Sequence, residues 1–257
     1  MKLVKICGIK RQQAASEAIS FGADLLGMIM VPGRARTIDI EEAKAVAQLV
    51  KQTRQHKKRQ FQTMTEILNV LREEDFETID DYSDRISDLL EENGPFLVGV
   101  FRNQPMTDVF RISEEVGNDI IQLHGKENVL EYCSYNSKNF DSKFGVIPRF
   151  VIPNDVSKIY DTLEAICIGG KYFGNGFLLP LLDSELGGEG KLIDWSLLKE
   201  LTSGKFILAG GLNEFNILQL SEYSNLKGFD VSGGVETQGE KDPRKVENFI
   251  KNGKSVA

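Results

Sequence analysis

Short apolar, β-branched runs alternate with amphipathic segments along the chain, and this alternation limits the fold more than any other feature of the sequence. Residues 4–9, 25–31, 97–101, 120–124, 146–152, 177–183, 206–209 and 229–232 read as strands. Helical periodicity or helix-start signals mark 12–21, 39–51, 107–116, 154–164, 194–201, 213–222 and 243–252, with a weaker helix at 126–135. Asp39 ahead of "IEEA", Asn213 three residues ahead of Asn216, and Asp242-Pro243 supply recognisable helix starts. Strand and helix in alternation imply a parallel sheet covered by helices. Eight such units close a (βα)8 barrel of about 250 residues, so the 257 residues fit one barrel domain, 1–257. An open doubly wound sheet satisfies the same alternation, and the motifs must decide between the two.

The stretch 54–94 breaks the repeat. It opens on the basic run "RQHKKR" and turns acidic, yet Met64, Ile67, Leu68 and Leu71, then Ile79, Tyr82, Ile86 and Leu89, recur at helical spacing. The expectation is an inserted, helical, acidic segment between helix two and strand three. It should emerge at the N-terminal face of the barrel, with its basic run a solvated loop and its carboxylates a solvated face. Deleting it should then spare turnover.

Composition excludes several classes. A net charge of −7 opposes general attraction to nucleic acid, and no apolar run approaches the roughly 20 residues of a membrane span. Three widely spaced cysteines argue against a disulfide framework. With two histidines and no paired cysteines, metal-ligand spacing is missing. The N-terminus runs straight into a strand-like segment, so a cytoplasmic location is expected.

In a β/α barrel the reacting groups stand at the C-terminal ends of strands. Cys7 closes "VKIC" and Asp183 closes "GFLLPLLD". A strand-end thiol is either a small buried hydrophobe or a base. The aspartate is either a turn residue or, when partly desolvated, a general acid. Strands seven and eight run into "LAGGLN" and "DVSGGVE", where Gly210, Gly211, Ser232, Gly233 and Gly234 can bring backbone N–H groups up to a phosphate. Arg36, with Arg34 nearby, offers a fork for a carboxylate. His124 stands at the end of strand four, and "ELGGEGK", with Gly188 and Gly190, suggests a cover over the site. That loop lacks the first glycine and the Ser/Thr of a triphosphate-binding loop, and no dinucleotide fingerprint follows strand one.

In "VKICGI", "GADLLGMIMVPGRARTID", "LVGVFRNQP", "IIQLHG", "LLDSELGGEGKLIDW", "LAGGLN" and "DVSGGVET" the sequence resembles the phosphoribosylanthranilate isomerases, in their fungal form. The resemblance implies a (βα)8 barrel of tryptophan biosynthesis that carries out an Amadori rearrangement of N-(5-phosphoribosyl)anthranilate to 1-(2-carboxyphenylamino)-1-deoxyribulose 5-phosphate. It makes Cys7 the general base and Asp183 the general acid and turns Arg36 toward the anthranilate. Substrate contacts are expected from Arg36, His124, Gly188, Gly190 and Asp230, and phosphate contacts from Gly210, Gly211, Ser232, Gly233 and Gly234. No metal or organic cofactor is implied, because the imine nitrogen is the electron sink. The ligand expected is a small phosphosugar–anthranilate, and with no exposed apolar seam evident in the sequence the chain is expected to be a monomer. One departure is local: many relatives carry a second serine where Gly233 stands. Two other readings fit the residues alone: a different phosphosugar isomerase, or a non-catalytic barrel scaffold that binds a partner through 54–94.

Overall fold

In the computed structural model, which describes residues 1–168, 171–172, 175–184 and 194–256, eight parallel strands close into a barrel in sequence order. They are β1 (Leu3–Cys7), β2 (Leu25–Ile29), β3 (Phe96–Phe101), β4 (Ile120–Leu123), β5 (Gly145–Val151), β6 (Leu181–Asp183), β7 (Phe206–Leu208) and β8 (Leu226–Val231). β8 returns to β1, with Lys5 opposite Asp230, while Cys7 lies opposite Gly27 of β2. Closure removes every exposed sheet edge, so the open-sheet alternative is excluded.

Helices cover the barrel: α1 (Gln12–Phe21), α2 (Ile40–His56), α3 (Met64–Glu73), α4 (Ile79–Asn93), α5 (Met106–Val116), α6 (Val129–Phe140), α7 (Val156–Ala165) and α8 (Pro243–Ser255). Their starts follow local chemistry. Asp39 accepts from the N–H groups of Glu41 and Glu42, and α3 and α4 each begin in a reciprocal capping box, Thr63 with Glu66 and Thr78 with Asp81.

Three expected elements came out shorter. Strand six narrows to 181–183, since Pro180 has no N–H to donate to a ladder, although its carbonyl accepts from Ile207. After β7 the expected helix reduces to a 3₁₀ turn, Ile217–Leu220. Asn213 and Asn216 hydrogen-bond each other's backbone there, and Asn216 also donates to the Gly211 carbonyl, which holds the preceding loop in a turn. The helix expected at 194–201 is likewise a 3₁₀ element, Trp195–Glu200.

The 54–94 stretch is built into the barrel more closely than its composition suggests. Arg54 is the last-turn residue of α2 and is 4% exposed, not part of a solvated loop. Its guanidinium donates to both carboxylate oxygens of Asp119, at 2.8 and 2.9 Å, and to the Pro95 carbonyl, and it lies over the Phe96 ring. Nor are the carboxylates of α4 merely a solvated face. Asp80 pairs with Lys205, Asp84 with Lys227 and Glu91 with the N-terminal amine, all at the N-terminal ends of strands, while the Tyr82 hydroxyl donates to the Phe177 carbonyl. Ile86, Leu89 and Leu90 join the common core. α4 therefore closes the barrel floor opposite the strand ends that carry the site. No helix among the described residues is long and apolar enough to cross a membrane.

Candidate active site

The C-terminal strand ends enclose a cavity of about 580 Å³. Its walls bring together Cys7, Arg36, His124, Asp183, Gly210, Gly211, Asp230, Ser232, Gly233 and Gly234, all singled out from the sequence. Arg34 lies on the same wall. Gly188 and Gly190 lie outside the described residues.

Below the rim the barrel interior is polar. Side chains alternate along a strand, so the residues two positions before the inward-facing strand ends share their face. Those positions hold Lys5 under Cys7, Gln122 under His124 and Asp230 under Ser232, while Arg149 of β5 stands beside Asp183. Lys5, Gln122, Asp183 and Asp230 are all buried.

Asp183 is 2% exposed. Its Oδ2 accepts from Arg149 Nε at 2.8 Å and its Oδ1 from the Ser184 N–H at 2.8 Å. Burial pushes its carboxyl above the ordinary value against the lowering pull of Arg149 and these hydrogen bonds. His124 Nε2 lies 3.8 Å from Asp183 Oδ2. Burial, helped by Arg149, Lys5 and Arg102, lowers that imidazole to about 3, so the pair is a neutral histidine beside a carboxyl rather than an ion pair.

Cys7 is buried, and burial pushes its thiol up. Lys5 and Lys241 oppose that shift by charge, whereas Asp230 adds to it. Lys5 Nζ donates to Asp230 Oδ1 at 2.7 Å.

Arg36 reaches the cavity from the loop after β2 and donates through Nε and Nη2 to Glu236, at 2.8 Å each. Lys241 donates to the same carboxylate at 2.7 Å. Burial would raise Glu236, but these two cations overcome it and hold the carboxyl at about 2. Arg36 thus enters the site as half of a fixed fork, its outer face free to meet a second carboxylate.

The glycine loops are tightly built. Gly210 and Gly211 both adopt positive φ, 88° and 67°. A Cβ on Gly234 would stand 1.9 Å from the Leu212 carbonyl oxygen, so the two loops touch backbone to backbone. Ser232 Oγ is buried with no hydrogen-bond partner among the described residues, as a hydroxyl reserved for a ligand would be.

The family model described as N-(5'phosphoribosyl)anthranilate (PRA) isomerase matches residues 50–252. The chain belongs to the phosphoribosylanthranilate isomerase family. The curated relative from Candida albicans is 46% identical over 256 residues, covering 98% of both chains. Among solved structures, phosphoribosyl anthranilate isomerase from Thermus thermophilus superposes with a TM-score of 0.66 at 25% identity, covering 99% of this chain and 100% of that one. Monomers generated from the dimeric Thermotoga maritima enzyme superpose with a TM-score of 0.68 at 23% identity over the whole of both chains.

Sequence reasoning within this phosphoribosylanthranilate isomerase scaffold missed Lys5, Gln122, Arg149, Glu236 and Lys241. Three of them carried a usable signal. "VKIC", "IIQL" and "IPRFV" each hold one polar residue inside an apolar run, and in the first two it lies on the face that ends at a candidate site residue, Cys7 or His124. Such a residue in a strand buried on both sides has only the barrel interior to enter. Glu236 and Lys241 gave no comparable sign, because the hairpin that joins them follows an irregular turn.

Proposed function

We infer that this chain catalyses the Amadori isomerisation of N-(5-phosphoribosyl)anthranilate in tryptophan biosynthesis. The observation that carries the reading is the pairing, within one cavity, of a thiol beside a buried ammonium with a buried carboxyl held above its ordinary value.

Asp183 is the general acid. Burial favours the protonated form of this carboxyl, which gives its proton to the furanose ring oxygen, and the ring opens to a protonated imine. The positive imine acidifies the neighbouring sugar C2–H. Cys7, as thiolate, removes that proton, the electron pair moves to the imine nitrogen, and the enolamine relaxes to the ketone. Neutral His124 stays out of the acid–base cycle and lines the pocket as a polar, uncharged wall.

Binding groups sit at the two ends. Arg36 takes the anthranilate carboxylate, its guanidinium already aligned by Glu236. Gly210, Gly211, Ser232, Gly233 and Gly234 take the phosphate, with Asp230 facing the sugar–anthranilate junction. Anchoring both ends aligns the reacting carbons between acid and base. The absence of a side chain at Gly233 leaves room for Arg36, since a Cβ there would come within 3.1 Å of Nη2.

The chain acts as a monomer in the cytoplasm in this reading. Among the described residues the exposed large hydrophobics are the scattered Met1, Leu130, Phe215 and Leu218, and Cys7 and Cys133 are free thiols. The deciding experiment is steady-state conversion of N-(5-phosphoribosyl)anthranilate by the purified chain beside its Cys7→Ala form. Turnover that survives in a folded Cys7→Ala protein removes the thiol from the mechanism. Sedimentation of the same preparation checks the oligomeric state.

A further inference from the structure

The mechanism needs a thiolate, yet burial alone makes Cys7 a poor acid, and something close to the sulfur must favour its ionised form. Lys5 lies two residues back on β1, on the same face, with its side chain wholly removed from solvent. A buried ammonium is retained only where negative charge or acceptors face it. Asp230 Oδ1 takes one of its three donors, at 2.7 Å.

The Cys7 sulfur lies beside the same notch. Gly27 stands opposite Cys7 in the strand register. A Cβ there would lie 2.7 Å from Cys7 Sγ and 2.9 Å from Lys5 Nζ, so the missing side chain leaves one notch that sulfur and ammonium share. We propose that Lys5 is the positioning residue for Cys7, its ammonium held by Asp230 and turned up beneath the sulfur to stabilise the thiolate that takes the sugar C2 proton. The proposal rests on reading Cys7 as the base.

The surrounding charges fit this role. Besides Lys5 on its own strand, Cys7 faces Asp230 from β8, Lys241 from the hairpin before α8 and Arg36 from the loop after β2; His124 of the β4 end faces Lys5 and is neutral. After burial, Lys5 has the largest influence on the thiol and acts to lower it by charge and by hydrogen bond, while Asp230 acts the other way. The protons balance with Lys5 unchanged. Cys7 loses its proton to solvent before binding and leaves a thiolate beside the ammonium. It then takes the C2 proton, becoming a thiol again, while the C–H electron pair passes to the imine nitrogen.

The test is the pH dependence of iodoacetamide alkylation at Cys7 in the free full-length protein, read on the Cys7 peptide by mass spectrometry. Lys5→Met should move the alkylation midpoint alkaline by about one pH unit, leaving about tenfold less thiolate below it. Its kcat should fall in step, with KM little changed. A midpoint unmoved in folded Lys5→Met overturns the proposal, whatever happens to turnover. Because that variant leaves Asp230 unpaired, Lys5→Met/Asp230→Asn is measured beside it; its midpoint should also move alkaline, by less, and an unmoved or acid-shifted midpoint again overturns the role. If the midpoint moves but kcat holds, the reading of Cys7 as base fails while the Lys5–Cys7 coupling stands.

Discussion

Arg149 Nε donates to Asp183 Oδ2 at 2.8 Å, while Arg149 Nη2 donates to the Ser184 carbonyl at 2.7 Å. One guanidinium therefore grips the carboxylate and the backbone just beyond it, which fixes the direction in which Asp183 presents its proton. Arg149 also opposes the upward shift of the Asp183 pKa. In Arg149→Met that opposition disappears, so the carboxyl should titrate at a still higher pH while its orientation is lost. kcat should fall by about 10²-fold, with the break of the rate profile that reports Asp183 moving alkaline. A break that stays put would show that Arg149 does not touch the acid's ionisation.

The profile of the unmodified protein follows from the same shifts. Activity requires Asp183 protonated and Cys7 ionised, and burial raises both groups above their ordinary values. Plotted against pH, kcat/KM should therefore be bell-shaped, with one limb reporting each of the two groups. A single ascending limb reaching full rate only above the thiol's pKa would rule out a protonated acid.

Asp183→Asn should lower kcat by about 10²–10⁴-fold while product affinity changes little, measured by titrating 1-(2-carboxyphenylamino)-1-deoxyribulose 5-phosphate. Loss of affinity matching the loss of rate would move Asp183 from catalysis to binding.

The two glycines of the β8 loop should behave differently. Gly234→Ala drives a Cβ into the Leu212 backbone, and nothing flexible can yield. It should destabilise the fold by about 1–3 kcal/mol and weaken the product by displacing both loops. Gly233→Ala meets only the tip of Arg36 and should leave the thermal midpoint nearly unchanged. Equal melting losses in the two variants would contradict this difference.

At the barrel floor, Arg54→Met leaves the partly buried Asp119 carboxylate with the Leu97 N–H but without its cation, a loss of about 1–3 kcal/mol. Urea denaturation should recover part of that loss in Arg54→Met/Asp119→Asn. By the same reasoning, excision of α3 and α4 should abolish cooperative unfolding rather than spare turnover, because Tyr82, Ile86, Leu89 and Leu90 are core residues. A deletion that still unfolds in one sharp transition would return the segment to a dispensable appendage.

The barrel was legible because its signals are local. A buried parallel strand must be a short apolar run, and a covering helix must show an apolar stripe and a cap. The mouth residues Cys7, Asp183, Arg36 and the two glycine pairs were legible for the same reason: each stands where such a run ends. What the chain order does not contain is distance across the barrel. The pairings Lys5 with Asp230, Arg36 with Glu236, Arg149 with Asp183 and Arg54 with Asp119 join residues 34 to 225 positions apart. Each arises only when the barrel closes and brings strands, loops and a helix end from distant parts of the chain side by side. The sequence by itself determined that a thiol and a carboxyl would stand at the mouth of a barrel. Only the tertiary structure decided their ionisation, because a pKa is set by burial and by charges that the chain brings in from distant strands.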